Sequence, residues 1–196
     1  MLLCALTVAW NVVVGSAAIA TAVATGSLAL IGFGLNAVVD SSASAILIWR
    51  FHAEESGQFE RAQRAEDFAL RVAGVAFILI ALYLVVQATR SLASGSHAKA
   101  TVFGIAEAAA SVVLLPFLAR AKYTLARRLG SQGLRADSLL TWSGTALAGA
   151  ALVALLLRRA FGWWWTDPAA ALAIAALLAD QGRRTLRSQT PGLQRP

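Results

Sequence analysis

Asp40 lies near the middle of an apolar run, Ser27 to Trp49, that is long enough to cross a bilayer. A carboxylate at that depth costs about 2.5–3.5 kcal/mol on insertion scales, and a cost of that size points to a use. Asn36 stands one helical turn earlier, so the two oxygen-bearing side chains leave the same face of the helix. Two such groups at i and i+4 in mid-membrane have the form of part of an ion site. The structural alternative is a helix–helix hydrogen bond. The cost of the depth weighs toward ion or proton binding for Asp40, while for Asn36 the two readings stand level, because Asn commonly bonds across membrane helices.

Other polar residues offer weaker chemistry. Glu107 sits inside an apolar stretch with Ser111 one turn on, and it could supply a further metal ligand or carry protons, or simply stand near the outer water. Asn11 reads as a structural hydrogen-bonding residue. Asp167 precedes Pro168 at a helix start, where the carboxylate would cap free N–H groups. Asp137 would cap the fifth helix or pair with a nearby Arg, and Asp180 would pair with Arg183 or Arg184 on its own helix face. His52 and His97 read as solvated loop residues. The acidic run Glu54, Glu55, Glu60, Glu66 and Asp67 is mixed with Arg and reads as a solvated face. Gly144, Ala148 and Gly149 favour close helix packing. There is no HExxH, no GxSxG and no phosphate-binding glycine loop, so the chain is not expected to be an enzyme.

The elements that would position these residues follow from composition. Of 196 residues, 58% are hydrophobic and 14% charged, the balance of a polytopic membrane protein. A single cysteine, Cys4, excludes an intrachain disulfide and a cysteine-based zinc site. The net charge of +7 suits orientation and contact with anionic lipid rather than nucleic acid, for which no basic, aromatic-interleaved stretch is present. The apolar start lacks a basic leader region and reads as the first membrane helix, not a signal peptide.

Apolar stretches near 2–24, 27–49, 69–91, 101–119, 138–158 and 166–183 predict an all-α integral membrane bundle of six transmembrane helices. Thr25–Gly26 makes a tight first turn, and Trp163, Trp164 and Trp165 suit a membrane–water interface. Loops 2–3 and 4–5 and the tail together carry thirteen Arg and Lys, Lys122 among them, against four on the other side. Cytoplasmic loops are the basic ones, so both termini are expected in the cytoplasm. Residues 1–185 would form one membrane domain, followed by a short basic tail, 186–196, expected to be disordered.

Three stretches resemble the membrane domain of the cation diffusion facilitators, which export divalent metals such as zinc in exchange for protons. They are GSLALIGFGLNAVVDSSASAILIWRF from Gly26 to Phe51, SQGLRADS from Ser131 to Ser138, and WWWTDPAAALAIAALL from Trp163 to Leu178. The resemblance spans nearly the whole chain and implies helix-two metal positions at Asn36 and Asp40. It also implies two helix-five positions, which fall on Leu140 and Gly144, neither able to bind metal. The family's His-containing second site in loop 2–3 and its cytoplasmic metal-sensing domain have no counterpart in these residues, so a homodimer, a family-level expectation, would rest on membrane helices.

The expected function is therefore efflux of a divalent cation of the zinc or manganese class by proton exchange, in the bacterial inner membrane. The metal residues would be Asp40, Asn36 and Glu107, and the partners are the metal ion, protons and the lipid bilayer, with no resident cofactor. Oxygen donors suit manganese more readily than zinc. Burial disfavours the charged form of an empty Asp40 and a bound cation favours it, so metal and proton would compete. The alternative is a degenerate family member that no longer transports and acts as a membrane scaffold.

Overall fold

A computed structural model describes residues 2–55, 59–95, 101–130 and 132–188. They form six helices: α1 Leu2–Thr25, α2 Leu28–Glu55, α3 Phe59–Ser94, α4 Val102–Leu129, α5 Gln132–Phe161 and α6 Thr166–Ser188. In lipid a helix satisfies its own backbone groups, so an Ala- and Leu-rich chain of this kind forms an all-α membrane bundle. Five of the helices are long and apolar enough to cross a membrane; α6 carries Asp180, Arg183, Arg184 and Arg187 in its second half and is less apolar.

The turns follow from local chemistry. Gly26 adopts φ 74°, a left-handed conformation that only glycine takes without strain, and its N–H donates to the Ala22 carbonyl at 2.7 Å. Ser27 then starts α2, its hydroxyl accepting from the Leu30 N–H at 3.3 Å. Thr101 caps α4 by accepting from the Gly104 N–H at 3.2 Å.

Several helices run further than the apolar stretches predict. The spans expected at 69–91 and 101–119 become Phe59–Ser94 and Val102–Leu129, and the basic loops 2–3 and 4–5 are largely helical. Their Ala, Leu, Arg and Glu residues are good helix formers and carry the helix onward after the apolar sequence ends. Helix α6 continues to Ser188, past the residue 186 from which a tail is expected. Residues from 189 onward, and His97, lie outside the described residues, as do the side chains of His52, Glu54, Glu55 and Glu66.

The closest packing pairs α1 with α2, α3 with α6 and α4 with α5, and α2 also touches α3, α5 and α6. Small residues make the α1–α2 contact close. A Cβ added to Gly34 would lie 2.6 Å from Ile19 Cγ1, and one added to Gly15 would lie 2.8 Å from Ala37 Cβ. The interior is built of Ala18, Ala22, Leu30, Leu84, Leu147 and Ile174 among others, while Val13, Val23, Leu79 and Phe117 face outward, as a lipid-facing surface requires. Trp163 and Trp165 stack at 5.5 Å at the end of the bundle that holds the α5–α6 turn.

Candidate cation site

Asp40 lies twelve residues into α2, about 18 Å along the axis from Leu28. It is buried, and its Oδ2 accepts a hydrogen bond from Asn11 Nδ2 at 2.6 Å. The glycine-lined approach of α1 to α2 is what brings Asn11 within reach. The other oxygen, Oδ1, is buried without a hydrogen-bond partner among the described residues. A buried carboxylate oxygen without a donor is a costly vacancy for hydrogen bonding.

Asn36 lies one turn toward the start of α2 and is buried. It faces Gly144 on α5: a Cβ there would stand 3.5 Å from Asn36 Nδ2 and 3.6 Å from Leu115 Cδ1. Asn36, Gly144 and Leu115 thus mark one level of the bundle. Leu140, at the other position expected to hold a helix-five ligand, lines an apolar cavity of about 330 Å³ between α2, α3 and α5.

Glu107 is buried, but eight residues before Leu115 on α4, which is about 12 Å along the axis from the Asn36 level. The structure therefore brings Asn36 and Asp40 onto one face but does not bring Glu107 to them. Among the described residues neither Glu107 oxygen makes a hydrogen bond of normal geometry, although the Thr21 hydroxyl is close enough to interact with it. The Ser111 hydroxyl, one turn on, is also buried without a partner among the described residues.

One turn beyond Asp40, toward the end of the bundle where α1 begins and α6 ends, lies a second polar group. Lys122 Nζ is 2.6 Å from Asp137 Oδ2, 3.1 Å from Thr141 Oγ1 and 3.4 Å from Ser44 Oγ. Ser44 in turn donates to Asp137 Oδ1 at 2.7 Å, and the Cys4 thiol lies 3.8 Å from Asp137 Oδ2. Lys122 is fully buried. Its three ammonium donors each have an oxygen partner, and the network links α1, α2, α4 and α5.

This group corrects two expectations. Lys122 is not a loop cation facing water. Side chains tilt toward the N-terminus of their helix, and α4 enters from the opposite end of the bundle, so the lysine is directed back into the interior. Asp137 neither caps α5, which begins five residues earlier, nor pairs with an arginine; its cation is Lys122. Asp167 is a third correction. It caps α2 rather than its own helix, accepting from Ser27 Oγ at 2.5 Å and from the Leu28 N–H at 2.8 Å. Asp180 does pair on its own helix, with Arg184 Nε at 2.8 Å.

The sequence contained a signal for the inner network in its spacing. Ser44 continues the Asn36–Asp40 interval by one turn, Cys4, Thr7 and Asn11 repeat at three to four residues on α1, and Asp137 and Thr141 do so on α5. Among the described residues no three His, Cys, Asp or Glu side chains gather around one point. What the arrangement offers chemically is one carboxylate with an unoccupied oxygen, flanked by amides and by a neutralised ion pair. The family model for the cation efflux transmembrane domain matches residues 5–193, nearly the whole chain.

Proposed function

The chain belongs to the cation efflux transmembrane family, whose members transport cations across membranes, and from that premise we propose that it exchanges a divalent cation for protons at Asp40. The observation that carries this reading is the Asp40 carboxylate, buried in a membrane helix with Oδ2 held by Asn11 and Oδ1 without a donor among the described residues. A proton or a cation on Oδ1 removes the cost of leaving that oxygen bare. Each occupant excludes the other, and this competition is the basis of exchange. Rocking of the helix pairs would expose the carboxylate to the two sides in turn.

Asn36 contributes an amide oxygen one turn away, so the donors are all oxygen and favour a hard ion of the manganese class over zinc. Glu107, with Ser111, lies toward the far end of the bundle and serves as a second station for the ion or its counter-proton. Both chain termini face the cytoplasm in this reading, which follows from the basic residues at that end. In a bacterial cell that orientation describes efflux across the inner membrane.

The absence of ligating side chains at Leu140 and Gly144 favours a second reading, a membrane scaffold that has lost transport. The two are separated by proteoliposomes loaded with a pH-sensitive dye. Addition of manganese should move protons across the membrane in the opposite direction if exchange occurs, and should leave the internal pH unchanged for a scaffold.

A further inference from the structure

Lys122 has no place in the exchange as described so far, yet it is a fully buried ammonium inside a membrane bundle, a position that is costly to hold. It lies one helical turn from the level of Asp40, since its partner Ser44 follows Asp40 by four residues. Ser44, one turn from Asp40, touches both Lys122 and Asp137, so the pair stands beside the Asp40 level of the bundle. Among the described residues the remaining buried carboxylates stand elsewhere: Glu107 toward the far end, and Asp167 occupied at the start of α2.

Among the described residues the charged groups at this end of the interior are thus two carboxylates and one ammonium. With Asp40 ionised they leave a single uncompensated negative charge. One proton neutralises it, whereas a divalent ion overshoots by one positive charge in a region of low dielectric. Lys122 is itself held as a cation is held, by oxygens of Asp137, Thr141 and Ser44. Resting on the reading of Asp40 as the ion's carboxylate, we propose that Lys122 is a tethered cation that weakens divalent binding at Asp40 and so sets the affinity and release of the transported ion. It is a specificity-determining residue that touches no ion. Without it Asp137, which also borders the cavity between α2, α3 and α5, becomes a second free carboxylate for a divalent ion.

The test is a calorimetric titration of manganese chloride into the purified full chain in detergent, with size-exclusion profiles to confirm folding. Lys122→Gln should bind manganese at least about tenfold more tightly than wild type, and Asp137→Asn at least about tenfold more weakly, as expected for a unit charge nearby at an effective dielectric near 20. The pair Lys122→Gln with Asp137→Asn keeps the net charge of this region at its wild-type value, the single charge of Asp40, and should bind within about threefold of wild type. Asp40→Asn added to Lys122→Gln should weaken binding at least about tenfold relative to Lys122→Gln, because Asp137 is then the one carboxylate left to the ion. Manganese binding that depends on Asp40 in wild type but is unchanged or weaker in folded Lys122→Gln overturns the role of Lys122 alone. Where the single variants fail to fold, a shift beyond about tenfold in the double variant overturns it instead. No binding by wild type or by Lys122→Gln overturns both the role of Lys122 and the proposed use of Asp40. Binding by Lys122→Gln where wild type shows none supports the tethered cation and contradicts manganese as the native ion.

Discussion

Asn11 on α1 donates to Asp40 on α2 across 2.6 Å, two buried side chains joined between the first two helices of the bundle. The bond occupies one carboxylate oxygen and leaves the other without a donor among the described residues, and so it orients the group on which the proposed exchange depends. Asn11→Leu should lower stability by about 1 kcal/mol, in line with interhelical hydrogen bonds in membranes. It should also raise the KM for manganese uptake, because the carboxylate loses its fixed direction. Thermal unfolding in detergent and uptake into proteoliposomes measure the two effects separately.

That bond needs α1 and α2 to lie close together. Gly34 leaves no room for a side chain against Ile19, so Gly34→Val should overpack the contact and destabilise by about 1–3 kcal/mol. Gly149 has nothing within 4 Å of an added Cβ. Gly149→Ala should therefore change stability by less than about 0.5 kcal/mol. Unfolding midpoints compared between the two variants check the prediction.

Asp167 joins the beginning of α6 to the beginning of α2. Asp167→Ala would leave the Leu28 N–H and the Ser27 hydroxyl without their acceptor, at about 1–2 kcal/mol for the lost cap. Manganese uptake per folded molecule should stay close to wild type, because Asp167 lies at the end of the bundle away from Lys122. Unfolding midpoints with uptake normalised to folded protein separate stability from transport.

The buried Lys122–Asp137 pair contributes less to stability than its geometry suggests. Desolvation of both charges offsets their attraction, so an apolar replacement, Lys122→Met with Asp137→Leu, should be neutral or stabilising in thermal unfolding. Either substitution alone should cost about 3–5 kcal/mol, because it leaves a buried charge without its partner. A double-mutant cycle on the four proteins gives the coupling directly.

Much of this was legible in the sequence. Six apolar stretches predicted the six helices, and the depth of Asp40 with its i+4 neighbour Asn36 marked one face of α2 as polar. What was hidden lay in tertiary contact. Lys122 follows an apolar stretch amid arginines, and hydropathy alone assigns it to water; the direction of its side chain along α4 decides otherwise. Asp137 was visible as a lone carboxylate, but its cation comes from a different helix. Asp167 was recognisable as a capping residue, though not as the cap of a helix 139 positions away. The apolar spans came close to those of the structure, while the helices themselves run on because helix propensity carries the fold past the apolar boundary, as in α3 and α4.

Manganese uptake into proteoliposomes under a proton gradient, wild type beside Asp40→Asn, tests the exchange at Asp40 most directly. The substitution is close to isosteric and exchanges the charge and one acceptor oxygen for an NH2 group, while the remaining amide oxygen can still accept from Asn11, so insertion and folding should survive. Uptake by wild type that collapses with the proton gradient and falls at least about a hundredfold in Asp40→Asn is the predicted result. Equal uptake by the two proteins, or none by correctly inserted wild type, would contradict it.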